Sequence, residues 1–137
     1  MKLQPPDPQR SALMARVRQR GTRPELVVAA VLRKLRLAYR LNVRALAGSP
    51  DFANRKRGWA IYVQGCFWHH HTGCVRATVP KANEAFWRDK FRTNRRRDAK
   101  AIRRLRREKF RVVVVWECET RKVEQLRARL AKALGGL

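Results

Sequence analysis

Acidic residues are scarce in this chain: 10 Asp and Glu stand against 34 Lys and Arg, a formal charge of +24 at pH 7. Such an excess would strain a compact fold unless a polyanion neutralised it, so nucleic acid is the first candidate partner. A solvated basic surface of the ribosomal-protein kind and attraction to anionic lipid are the competing readings. Long apolar runs are missing too. No stretch approaches the ~20 residues needed to span a bilayer, and the N-terminus lacks the apolar centre of a secretory signal, so a cytoplasmic protein without a membrane element is expected. Cysteine is limited to Cys66, Cys74 and Cys118. An odd number of thiols beside histidines, in a reducing compartment, points to metal or catalysis more than to disulfides.

The chain nevertheless holds 45% hydrophobic residues and four Trp, which excludes a disordered basic tail. At 137 residues it fits one core. Residues 1–10 contain three prolines and no apolar periodicity, so they are expected to be a mobile arm before a single domain over 11–137. A short basic helical turn is expected from Ser11 to Gln19. Thr22 and Glu25 have capping-box spacing, with Pro24 in the first turn, and Val27, Val28, Val31, Leu32 and Leu35 recur at helical spacing up to about Leu35. Tyr39, Leu41 and Val43 alternate with polar residues as in a strand with one wet face. Gly48-Ser49-Pro50 breaks that strand. Trp59 to Val63 reads as the next strand, Arg111 to Trp116 as one buried on both faces, Phe86 to Glu108 as a long helix between them, and Val123 to Leu134 as a last helix. The order α-β-β-α-β-α implies an α/β fold with a mixed central sheet flanked by helices.

The span Arg88 to Arg111 carries thirteen Lys or Arg against Asp89, Asp98 and Glu108. Most of that charge is a solvated or phosphate-facing surface. Asn94 and Asp98, however, fall on the apolar stripe of Trp87, Phe91, Ile102 and Leu105, and polar groups on a buried face need partners. Cys66, His69, His70, His71 and Cys74 cluster within nine positions and, with distant Cys118, provide soft ligands for tetrahedral zinc; four protein ligands leave no open position and argue for a structural site. A histidine left over beside such a loop is a candidate acid or base. Phe67-Trp68 is either core or a wedge driven into a base stack. Pro50-Asp51 before a strand starts a metal-nuclease pattern, an Asp projecting from a sheet toward Mg²⁺, although Val63 and Gln64 stand where the usual second acid would be.

Taken together, GSPDF (48–52), IYVQGCFWHHH (61–71), NEAFWRDKFRTNRRRD (83–98) and VVVVWEC (112–118) resemble the very-short-patch-repair (Vsr) mismatch endonucleases from about Ser11 to Arg121. The resemblance implies a restriction-endonuclease-like, PD-(D/E)XK-type fold and Mg²⁺-dependent nicking of duplex DNA 5′ to the T of a T·G mismatch. It implies that Asp51 and the backbone carbonyl of Val63 hold Mg²⁺, that Glu25 reaches the ion through water, and that His69 acts on the attacking water or the scissile phosphate with Asp98 orienting it. Cys66, His71, Cys74 and Cys118 would hold structural Zn²⁺. Phe67, Trp68 and Trp87 would intercalate beside the mismatch, with Asn94 among the DNA-contacting residues and Met14 entering the minor groove. A monomer that is cytoplasmic and nucleoid-associated when bound to DNA, with mismatch-repair proteins as further partners, is the corresponding expectation. Two departures stand out. Gln64 replaces a second active-site His, and one extra residue separates His71 from Cys74, which leaves His70 an alternative zinc ligand. A weak or inactive DNA-binding relative and a basic RNA-binding accessory protein are the alternative functions.

Overall fold

A computed structural model describes residues 21–135. The arm, the turn expected over 11–19 and Met14 lie outside the described residues. Helix α1 (Arg23–Lys34) begins where Thr22 Oγ1 accepts the Glu25 N–H, with Pro24 in the first turn. The reciprocal half of the cap differs from the expected box: the Glu25 carboxylate accepts from Gly21 N–H at 2.6 Å, one residue before the cap. Val28, Val31 and Leu32 are buried, with Val27 and Leu35 packed beside them, so the predicted apolar face is the inner face.

The strand expected around Tyr39 to Arg44 shrinks to β1 (Arg40–Leu41). Asn42 turns to φ +48°, and the N–H groups of Asn42 and Val43 go to the carbonyls of Asp51 and Pro50. A strand not anticipated from the sequence, β2 (Phe52–Asn54), follows, and then β3 (Trp59–Gln64). Asn54 makes the hairpin between them: its side chain accepts from Arg57 N–H and donates to Ala38 O. After helix α2 (Glu84–Arg107) come β4 (Arg111–Trp116), a short 3-10 helix (Glu117–Arg121) and α3 (Val123–Leu134). The sheet order is β1-β2-β3-β4, with β1–β2 and β2–β3 antiparallel and β3–β4 parallel, Ile61 opposite Val113. The expected mixed sheet is therefore present.

Strand β3 sorts its side chains with period two. Trp59 and Ile61 join Phe52, Val113, Val115, Leu126, Leu130 and Leu134 in a core shared with α1 and α3. Ala60 and Tyr62 point the other way, with Ala53, Leu46 and Leu105, beneath α2. The small Ala53 and Ala60 leave room for that helix. β4 was expected to be buried on both faces, but it alternates: Val113 and Val115 are buried while Val112 and Val114 are half-buried, because β4 is an edge strand here. Among the described residues no helix is long and apolar enough to cross a membrane.

Candidate active site and metal centre

The sheet brings Asp51 to the end of β3. Pro50 is buried, and Gly48, at φ +70°, makes the turn before it. A Cβ at Gly48 would lie 2.7 Å from Ala101 Cβ, so neither the backbone conformation nor the approach of α2 leaves room for a larger residue. The Tyr62 hydroxyl donates to Ala47 O in the same turn. Asp51 Oδ2 accepts the Val63 N–H at 2.6 Å. Burial pushes the Asp51 carboxyl up from 3.8 to about 6; the Glu25 carboxylate pushes the same way, while the Val63 hydrogen bond and His69 oppose it. Asp51 thus feels both Glu25 and His69, although the three come from the β2 approach, α1 and the loop after β3. Burial, with Asp98 and Asp51 nearby, pushes the Tyr62 hydroxyl up to about 12.

His69 Nδ1 lies 2.6 Å from Asp98 Oδ2, both groups about three-quarters shielded. A carboxylate only accepts, so Nδ1 carries the proton and Nε2 is the ring's free basic atom. Asn94, one turn earlier on α2, donates to Trp68 O at 3.0 Å. The two polar residues on the apolar stripe therefore tie α2 to the 65–74 loop; for Asn94 the amide N–H is used inside the protein. Gln64 is 5% exposed and lines the same cleft as His69, Asp98 and Arg95.

Trp87 is 2% exposed and Phe91 3%. Half-buried Phe67 and Trp68, 5.2 Å from each other, rest on them with centroids 5.3 to 6.4 Å apart in tilted and edge-on pairs. Trp87, at the N-terminal end of α2, lies beneath Phe67 and Trp68 where the helix meets the loop.

The ligand atoms of Cys66, His71, Cys74 and Cys118 all fall within 4.8 Å of one another. His71 Nδ1 is 3.8 Å from Cys66 Sγ and 3.6 Å from Cys118 Sγ. Bonds of about 2.3 Å from a tetrahedral metal to thiolate sulfurs put neighbouring ligands about 3.8 Å apart, so the donor set fits a metal of that kind. Burial pushes the Cys66 thiol up to about 12 without a metal, whereas the backbone N–H of Arg76 lowers Cys74. The His71 ring stacks on Trp116 at 4.0 Å. His70 instead stacks on Phe91 at 4.4 Å and keeps a buried, unpartnered Nε2, so the grouped histidine is His71. Gly73, at φ +75°, makes the turn into Cys74. Tyr62 and Arg95, which donates to Thr72 Oγ1 at 3.1 Å, belong to the site but were not singled out in the sequence; no local spacing pointed to either.

The family model of DNA mismatch endonuclease Vsr matches residues 5–76. A type II nicking enzyme of Xanthomonas oryzae pv. oryzae, V.XorIIP, is 39% identical over 125 residues, covering 91% of each chain. One of Neisseria meningitidis, V.NmeAIP, is 36% identical over 88% of this chain and 86% of its own. The DNA mismatch endonuclease Vsr of Escherichia coli is 38% identical over 85% of this chain and 74% of its own.

Proposed function

The chain belongs to the Vsr family of DNA mismatch endonucleases, and on that premise we propose that it nicks duplex DNA 5′ to the T of a T·G mismatch with a Mg²⁺-dependent site on a restriction-endonuclease-like sheet. The observation that carries this reading is the meeting of the Asp51 and Glu25 carboxylates with a His69–Asp98 pair, beside two half-exposed aromatics on a very basic chain.

Asp51 and the Val63 carbonyl would hold the cation, with Glu25 engaged through water. The donor set suits a hard ion: oxygens only, with two carboxylates close enough to raise a pKa between them. In a strand a residue's N–H and C=O leave from the same edge, so the N–H that reaches Asp51 brings the Val63 carbonyl to the same side. The bound ion supplies positive charge for the phosphate and lowers the pKa of water. His69 takes the proton of the attacking water at Nε2. Asp98 fixes the tautomer and stabilises the imidazolium that forms. Gln64, unable to exchange protons near neutral pH, donates its amide to a phosphate oxygen.

Phe67 and Trp68 enter the base stack from the loop, braced by Trp87 and Phe91. Unstacking costs a few kcal/mol per step and less at a weakened pair, so the wedge favours a mismatch. The Cys66–His71–Cys74–Cys118 cluster would hold Zn²⁺, and the closed tetrahedron would fix the loop bearing both wedge and His69. The second reading, a DNA-binding relative without turnover, is favoured by Gln64 at the place of a second imidazole. A supercoiled plasmid carrying one mismatch separates the two: conversion to open circle with Mg²⁺ and none with EDTA supports the nuclease, and binding without conversion supports the alternative.

A further inference from the structure

Helix α2 has more positive charge than the site can use. Its inner row, Phe91, Asn94, Asp98, Ile102 and Leu105, faces the aromatic cluster, the loop and the sheet. Arg92, Arg96, Lys100, Arg103 and Arg107 each stand two residues from a member of that row, about 200° round a helix of 3.6 residues per turn. All five are exposed, and among the described residues none makes an ion pair, whereas Arg88 and Arg104 on the same helix are paired with Glu84 and Glu108. Asp89, at the N-terminal end, is the acid on this outer face. A phosphate reaching His69 approaches the side bearing Asp98, so a helix about 10 Å across separates it from the ridge.

The ridge runs straight for about 22 Å at 1.5 Å per residue. Along that length a duplex presents about thirteen phosphate charges, at one per 1.7 Å of axis. A lipid surface would need an apolar face beside the cations, but the apolar face of α2 is already in the core. An acidic protein partner would want aromatic or apolar anchors among the charges, and this face has none. We propose that the outer face of α2 is a second duplex-DNA surface, on the opposite side of the helix from the cutting site, so that one chain holds two duplex segments at once. The inference rests on the reading of the first site as a duplex-DNA site.

The test uses the full chain, matched duplexes carrying a donor or an acceptor dye, and buffer from which Mg²⁺ is omitted. Energy transfer between duplexes should appear with substoichiometric protein and disappear in protein excess, when every duplex has its own chain. Changing Arg92, Arg96, Lys100, Arg103 and Arg107 together to Gln should lower bridging at least tenfold and leave binding of a single short duplex within about threefold. R96Q/R103Q alone should give an intermediate loss. Five phosphate contacts also predict that the salt slope for bridging flattens by about 4 to 5 in the full variant. Undiminished bridging by the five-fold variant, as expected if two copies of the chain pair instead, would overturn the proposal, as would an equal loss on the single duplex. Plasmid nicking is read in parallel: its absence with bridging intact would count against the nuclease reading alone.

Discussion

Replacing Asp51 by Asn should stabilise the zinc-loaded protein while abolishing nicking. The carboxylate is ionised at neutral pH in a place that resists its charge, with burial as the main cause and Glu25 adding to it. Moving its pKa from 3.8 to about 6 corresponds to about 3 kcal/mol lost to the folded state once the group is ionised. Because Asp51 keeps some contact with water, about 2 kcal/mol is the expected net effect. The sign follows from the raised folded-state pKa. Above about pH 6 the full cost is present, it shrinks as pH falls toward 3.8, and below that value both states are protonated and nothing is lost. Asn removes the charge and keeps an oxygen for the Val63 N–H. Thermal unfolding without added Mg²⁺ should therefore give D51N a midpoint about 5–10 °C above the parent at pH 8, narrowing steadily toward pH 4. Saturating Mg²⁺ should close the gap by stabilising the parent alone. A D51N protein no more stable at pH 8, or equally favoured at both pH values, would refute the account of the buried carboxylates. Nicking by D51N at near-parental rate would refute its place as a metal ligand.

Elemental analysis should find about one zinc per chain, and Cys66→Ser and Cys118→Ser should cost similar stability despite their separation in sequence, since both close one tetrahedron; markedly unequal losses would contradict a four-ligand site. Phe67→Ala with Trp68→Ala should reduce the preference for mismatched over matched duplex more than overall affinity, which the cations supply; equal losses in a gel-shift titration would make the pair simple core. Gln64→His should change the single-turnover rate by less than about tenfold, or roughly 1.4 kcal/mol of barrier. A hundredfold gain with a new titration between pH 6 and 9 would show that the lost imidazole carried a proton.

Much of the fold was legible where one period ran long enough to be read. The apolar spacing of Val123 to Leu134 gave α3 with its observed ends, and the valines of 112–115 gave β4. Strand β2 was invisible because three residues, FAN, have no periodicity, and its existence depends on pairing with β3. The alternation of Tyr39, Leu41 and Val43 promised a longer strand than the turn at Asn42 permits. Residue chemistry marked the cysteine–histidine cluster with His71 as its imidazole, and the stripe position of Asp98 foretold an inward partner, but the extra residue before Cys74 kept His70 as an alternative until the grouping of His71 with the three thiols. Trp87 belongs to the apolar stripe by its spacing and to the wedge aromatics only by the resemblance, and the packing of α2 on the loop sets it beneath Phe67 and Trp68. The approach of Glu25 and Tyr62 to Asp51 joins three elements and has no local signature.

The central claim is tested most directly on a single pair of end-labelled duplexes differing at one position, T·G in one and T·A in the other, incubated with the chain and Mg²⁺. One cut in the T-bearing strand of the mismatched duplex, 5′ to that T, with the partner strand and the matched duplex intact and the reaction stopped by EDTA, is the predicted result. Cutting of both duplexes alike, or tight mismatch binding with no cut at any Mg²⁺ concentration, would contradict it.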